Sequence, residues 1–99
     1  MAKLFISEYD RMPSDPRGLV PTGSEPAVAT QAVAIGGASE QSAAFNARTN
    51  FIRLHTDAIC SVKFGANPTA TADDLRMAAN QTEFFGVVAG DKVAVITNT

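Results

Sequence analysis

Apolar and polar side chains alternate over short runs in this sequence, and turn residues separate the runs. Alternation puts successive side chains on opposite faces, so each run reads as a strand with one buried face. Lys3 to Tyr9 is the first, with Leu4 and Ile6 on one face and Phe5 on the other. Ala27 to Ile35 carries Val33 and Ile35 on one side and ends at Gly36-Gly37. Ser42 to Ala47, around Phe45, is a weaker strand. Phe51 to Thr56 alternates cleanly: Ile52 and Leu54 face one way, and Phe51, Arg53 and His55 the other. Ile59 to Phe64 follows, with Cys60, Val62 and Phe64 in phase. The short Asp57-Ala58 connection predicts a hairpin between these two runs. Glu83 to Val88 puts Phe85 and Val87 on one face and Phe84 and Val88 on the other. After the turn at Ala89-Gly90-Asp91, Lys92 to Thr97 is the last strand, with Val93 and Val95 in phase.

Two segments break the pattern. Asp10 to Pro26 holds Pro13, Pro16, Pro21 and Pro26 together with Gly18 and Gly23. Proline removes a backbone donor and fixes φ, so neither a helix nor a central strand runs through it. The segment, residues 10–26, reads as an extended arm or long loop, with Leu19 and Val20 as its anchors. Asn67 to Thr71 is a loop, and Ala72 to Ala79 continues as a loop or short strand. Thr71 followed by Asp74 also fits a helix cap, so one or two helical turns stand as the alternative. No strand is followed by a helix long enough for a parallel crossover. The seven or eight short strands therefore predict an antiparallel all-β domain, spaced as in sandwiches and barrels.

Composition sharpens this. A chain of 99 residues is one domain, and folding at that size buries roughly 65% of the unfolded surface. A hydrophobic fraction of 45% with 18% charged residues is that of a folded chain, not a disordered one. Much of the apolar content is alanine, and the large core candidates include six Phe, one Tyr and no Trp. The expected core is thin and completed by association with other subunits. The net charge is −2 and no run of Lys and Arg occurs, which argues against nucleic acid and against an anionic membrane surface. Leu4-Phe5-Ile6 is too short for a signal-peptide core, and no apolar run has the length of a membrane span. The single cysteine, Cys60, excludes an internal disulfide and fits synthesis in the cytosol.

Candidate chemistry is sparse. His55 is the only histidine, with Asp57 two residues on, and a metal site needs more ligands than that. Cys60, between Ile59 and Val62, reads as a small buried hydrophobe rather than a nucleophile. Asp73-Asp74 lacks the spacing of a calcium loop, Gly86 to Gly90 that of a phosphate loop, and Asn80-Gln81-Thr82 lacks the secretory signal a glycosylation site needs. The expectation is no catalytic, cofactor or metal site, and hence no enzyme. Strands apolar on both faces are a different signal. One ring of Phe84-Phe85 fills the core, and the other must meet a second sheet, the arm or another subunit. Met12, Pro13, Leu19, Val20, Pro21, Phe84 and Phe85 are thus the candidate protein-interface residues.

The run from Phe51 to Asp57, then Val62 to Thr71, Asn80 to Val87 and Val93 to Ile96, resembles small proteins encoded beside the capsid genes of tailed bacteriophages. The resemblance covers roughly the second half of the chain. It implies a capsid decoration, or cement, protein with a jelly-roll-like antiparallel β-sandwich, here carrying a Pro-rich N-terminal arm. It further implies a homo-oligomer, dimer or trimer, on the virion's capsid surface, made in the host bacterial cytoplasm and bridging major capsid subunits. A carbohydrate- or receptor-binding sandwich of a tail fibre or spike is the alternative, disfavoured by one Tyr and no Trp.

Overall fold

The computed structural model describes residues 2–99, which form ten strands and no helix. The strands are β1 (Lys3–Tyr9), β2 (Ser14–Asp15), β3 (Gly18–Leu19), β4 (Ala29–Ala34), β5 (Glu40–Gln41), β6 (Phe51–Thr56), β7 (Cys60–Gly65), β8 (Leu75–Met77), β9 (Thr82–Gly86) and β10 (Lys92–Thr97). Eight of them make two four-stranded antiparallel sheets, β4-β1-β6-β9 and β5-β10-β7-β8, packed as a sandwich. β2 and β3 pair only with each other.

The period-two pattern explains the packing. Leu4 and Ile6 of β1, Val33 of β4 and Ile52 and Leu54 of β6 face inward from the first sheet. Cys60 and Val62 of β7, Met77 of β8 and Val93 and Val95 of β10 face them from the second. Fully burying a large aliphatic side chain contributes about 1.5–3 kcal/mol, so this interior is the main source of stability. Phe45 plugs one end, held by hydrogen bonds from its N–H to the Asp91 carbonyl and from the Gly90 N–H to its own carbonyl. Gly90 has φ +87°, a conformation that favours glycine, and it shapes this turn.

Four details differ from the sequence expectation. First, β6 and β7 do not form a hairpin; they lie in different sheets. Asp57-Ala58 lacks the glycine that a tight hairpin turn favours after Asp. The Thr56 hydroxyl bonds the Ala58 carbonyl instead, at 2.6 Å, and the chain arches over the core edge. Second, the strand expected over residues 42–47 does not form; they are irregular, and the two-residue β5 lies just before them. Third, the helical turn expected as the alternative over 72–79 is absent. Asp74 accepts from the Thr71 N–H at 2.7 Å, closing a single turn, and Leu75–Met77 then pairs with β7. Fourth, the strands number ten because three of them span only two residues.

Residues 10–26 are more ordered than an arm. They are the distal half of one long hairpin, whose proximal half is the β1–β4 ladder. Beyond the Glu8–Ala29 pair, the Ser24 N–H bonds the Arg11 carbonyl and the Val20 N–H bonds the Pro13 carbonyl. The ladder resumes at Ser14–Leu19 and Asp15–Gly18, and Pro16-Arg17 is the tip. Prolines explain the interrupted pairing, because each withholds a donor.

The two outer faces differ. Residues 66–74 lie across the second sheet. Gln41 donates to the Pro68 carbonyl, the Ala70 N–H to the Ser39 hydroxyl, and the Ser61 hydroxyl and Asn98 amide to the Ala72 carbonyl. Pro68 and Ala70 are buried there, as is the outward-facing Ala94. Among the described residues no comparable loop covers the middle of the first sheet.

Candidate interaction surface

Register decides what the first sheet shows to the outside. Phe5 lies opposite Ala32 and His55, Ser7 opposite Thr30 and Arg53, and Tyr9 opposite Phe51. On the far side, Phe51, Arg53 and His55 lie opposite Gly86, Phe84 and Thr82. Aromatic rings therefore line up across strands. Tyr9 stacks on Phe51 with centroids 5.4 Å apart, and Phe51 meets Phe84 at 6.3 Å.

The base of the long hairpin seats on one end of this row. A Cβ at Gly23 would come within 2.4–2.5 Å of three atoms of the Tyr9 ring, so the absence of a side chain lets the backbone approach the ring. The Tyr9 hydroxyl donates to Glu25 Oε2 at 2.6 Å. Burial, and then the Glu25 carboxylate, push the Tyr9 phenol above its ordinary pKa of 10.0. Across the strand end, the Arg48 guanidinium bonds Asp10 at 2.8 Å and holds that carboxyl below its usual range.

Beside the seated segment runs an apolar groove of about 530 Å³, lined by Met12, Pro21, Phe51, Phe84, Phe85 and Gly86 among others. The fold thus brings together four of the seven candidate interface residues: Met12, Pro21, Phe84 and Phe85. The Phe84-Phe85 pair divides as alternation requires. Phe85 packs inward on Phe64 with centroids 5.1 Å apart, and Phe84 faces out, 41% exposed. Pro13 and Val20 are half-buried within the hairpin. Leu19 is 68% exposed near the tip, so it anchors nothing within its own chain.

A second hollow, shallower and about 700 Å³, lies over the middle of the same sheet. Phe5, Ser7, Thr30, Ala32, Arg53 and His55 line it. His55 Nδ1 is 2.7 Å from the Thr82 hydroxyl, and its ring lies 6.5 Å from that of Phe5. Asp57, two residues on, accepts from the Lys3 backbone N–H. Cys60 is buried in the core, and desolvation pushes its thiol above its ordinary pKa of 9.0. Among the described residues no group of three His, Cys, Asp or Glu side chains could hold a metal. Asp73 and Asp74 belong to the Thr71 turn.

The chain matches no protein-family model, and no characterised protein or solved structure shows significant similarity to it.

One important residue escaped the sequence reading. Glu8 is 2% exposed, at the open end of the core. Its Oε1 accepts from the Asn46 N–H at 2.7 Å and the Thr49 hydroxyl at 2.9 Å, and its Oε2 from Gln31 Nε2 at 3.1 Å. Gln31 in turn accepts from the Ala43 N–H. This network pins residues 43–49 against the first sheet and leads into Asn50, which borders the groove. The available signal was phase: Glu8 continues the inward positions of Leu4 and Ile6.

Proposed function

We propose that this chain is a structural protein of a tailed-bacteriophage virion, a capsid decoration protein that stabilises the head by binding major capsid subunits. The observation that carries this reading is the unequal cover of the two sheets. One outer face is closed by the chain's own loop. The other leaves Met12 and Phe84 exposed on an apolar groove and Phe5 exposed in the neighbouring hollow, with a hairpin projecting beside them. A contiguous apolar surface of this kind is the usual mark of a binding face. The resemblance of the second half to proteins encoded beside capsid genes supplies the class of partner.

Strand order supports a jelly-roll reading. Numbered one to eight, the sandwich strands run 2-1-4-7 and 3-8-5-6. That order matches a jelly roll with its closing strand moved to the front of the chain, which supports this reading. The mechanism is thermodynamic. A protein that binds the assembled lattice and not free subunits shifts the equilibrium toward the lattice. Copies act as a small homo-oligomer, dimer or trimer, on the outer shell. Cosedimentation with expanded empty capsids, built from the major capsid protein of the same genome, tests this. Saturable binding is expected; no binding at micromolar protein would refute it.

The hollow at Phe5 favours one second reading, a glycan- or receptor-binding module of a tail fibre or spike. It sets a ring beside hydroxyl, amide and guanidinium groups. Glycan-array binding by the isolated chain would decide for it.

A further inference from the structure

We infer that the outer face of β4-β1-β6-β9 docks an acidic, partly apolar segment of a partner protein, with Arg53 reading its carboxylate. Taking that partner to be a capsid protein rests on the function proposed above; the chemistry of the face does not.

No Asp or Glu occupies an outward position on any of the four strands, because Glu8 and Glu83 both take inward phase. The outward titratable side chains are Lys3, Tyr9, Arg53 and His55. In a chain of net charge −2, this face has the opposite sign from the average. Arg53 sits near its middle, between Ser7 and Phe84 in register. Among the described residues the two ion pairs use Arg17 and Arg48, and Arg53 belongs to neither. The nearby carboxylates are engaged elsewhere: Asp10 with Arg48, Glu25 with the Tyr9 hydroxyl, and Asp57 with the Lys3 N–H. Arg53 is left as a half-buried fork of donors among aromatic rings.

That setting suits a carboxylate. A guanidinium binds one through two parallel hydrogen bonds, and flanking apolar surface lowers the local dielectric and strengthens them. A phosphate backbone would require several clustered cations, which the face lacks. The small Thr30, Ala32 and Ala34 of β4 leave room for a chain to lie across the sheet. The groove beyond Phe84 takes the segment's apolar side chains.

A random dodecapeptide display library, selected on the immobilised full chain, tests this directly. Expected enrichment is for Asp or Glu beside large apolar residues. Arg53→Glu should weaken the selected peptides at least about tenfold, and its own selection should turn toward Lys and Arg. Phe5→Ala should weaken them too without changing the charge preference. Unchanged melting curves verify that both variants fold. No enrichment, or the same enrichment with Arg53→Glu, overturns the inference whatever the capsid assay gives. So does glycan binding, or self-association in light scattering, that Arg53→Glu abolishes while peptide binding stays absent. If the wild type and Arg53→Glu cosediment equally with capsids, the capsid function stands and this face is refuted as its docking surface. If the wild type selects acidic peptides but ignores capsids, the capsid reading fails and the face stands.

Discussion

Replacing Glu8 probes the most consequential polar interaction in the molecule. Glu8→Ala removes the acceptor for two protein donors in the core end, the Asn46 N–H and the Thr49 hydroxyl, and for Gln31 Nε2 at its edge. A buried donor left without a partner costs about 1–3 kcal/mol, and the lost carboxylate volume adds a cavity. Removing a buried charge offsets part of that, because its desolvation was unfavourable. The net expectation is about 3 kcal/mol of destabilisation, a large share of the ~5–15 kcal/mol that a domain has. At roughly 4–8 °C per kcal/mol, the melting temperature falls by about 12–24 °C. Glu8→Gln isolates the charge and the geometry. Its oxygen keeps the Asn46 and Thr49 bonds, but its amide nitrogen then faces Gln31 Nε2, donor against donor. Gln31 cannot flip without losing the Ala43 N–H. A cost of about 1–3 kcal/mol follows. Adding Gln31→Glu restores complementarity toward position 8 and moves the charge toward solvent, at the loss of the 3.3 Å bond from Gln31 Nε2 to the Ala43 carbonyl. The new carboxylate accepts both from the amide introduced at position 8 and from the Ala43 N–H. Urea unfolding of wild type, both singles and the double mutant measures the coupling. The double mutant should recover at least about 1 kcal/mol relative to Glu8→Gln. A neutral Glu8→Gln, or no recovery by Gln31→Glu, would refute the account of this network.

Three further outcomes are expected. Because the native state holds the Tyr9 proton more tightly than the unfolded chain, stability should fall as pH rises past 10.0, and Tyr9→Phe should remove that part of the slope; urea titrations at increasing pH measure it. Gly23→Ala should force the hairpin base off the Tyr9 ring at a cost of about 1–3 kcal/mol. With one Tyr and no Trp, intrinsic fluorescence reports that single ring, and an unchanged spectrum and melting curve would contradict the packing. Finally, Ala2 pairs with Ile35 and Thr97 with the adjacent Gly36, so residues 2 and 97 lie side by side. A circular permutant that joins them with a short Gly/Ser linker and opens between Arg17 and Gly18 should fold with near-wild-type circular dichroism and a cooperative melt; a chain that fails to fold would count against the strand order.

Local pattern was enough to place β1, β4, β6, β7, β9 and β10 within a residue or two and to choose their buried faces. Alternation is a property of the strand itself, and one apolar face is forced inward wherever the sheet packs. The division of Phe84 from Phe85 follows from the same rule. Partner strands are another matter. Whether Asp57-Ala58 turns back within a sheet or arches across the core depends on what each strand meets, and tertiary packing chose the arch. The prolines of residues 10–26 excluded regular structure locally, but only the adjacency of β1 and β4 makes that segment the far end of a hairpin. Glu8 looked like an ordinary polar strand residue until three donors from distant segments converged on it. The candidate surface divides the same way. Composition put apolar side chains in surplus over one small core, while only the fold determined that Met12, Pro21, Phe84 and Phe85 share a groove and that Arg53 stands beside it with no ion-pair partner among the described residues. Residue type and alternation act over two or three positions. Neighbours across a sandwich are set by the free energy of closing the whole core.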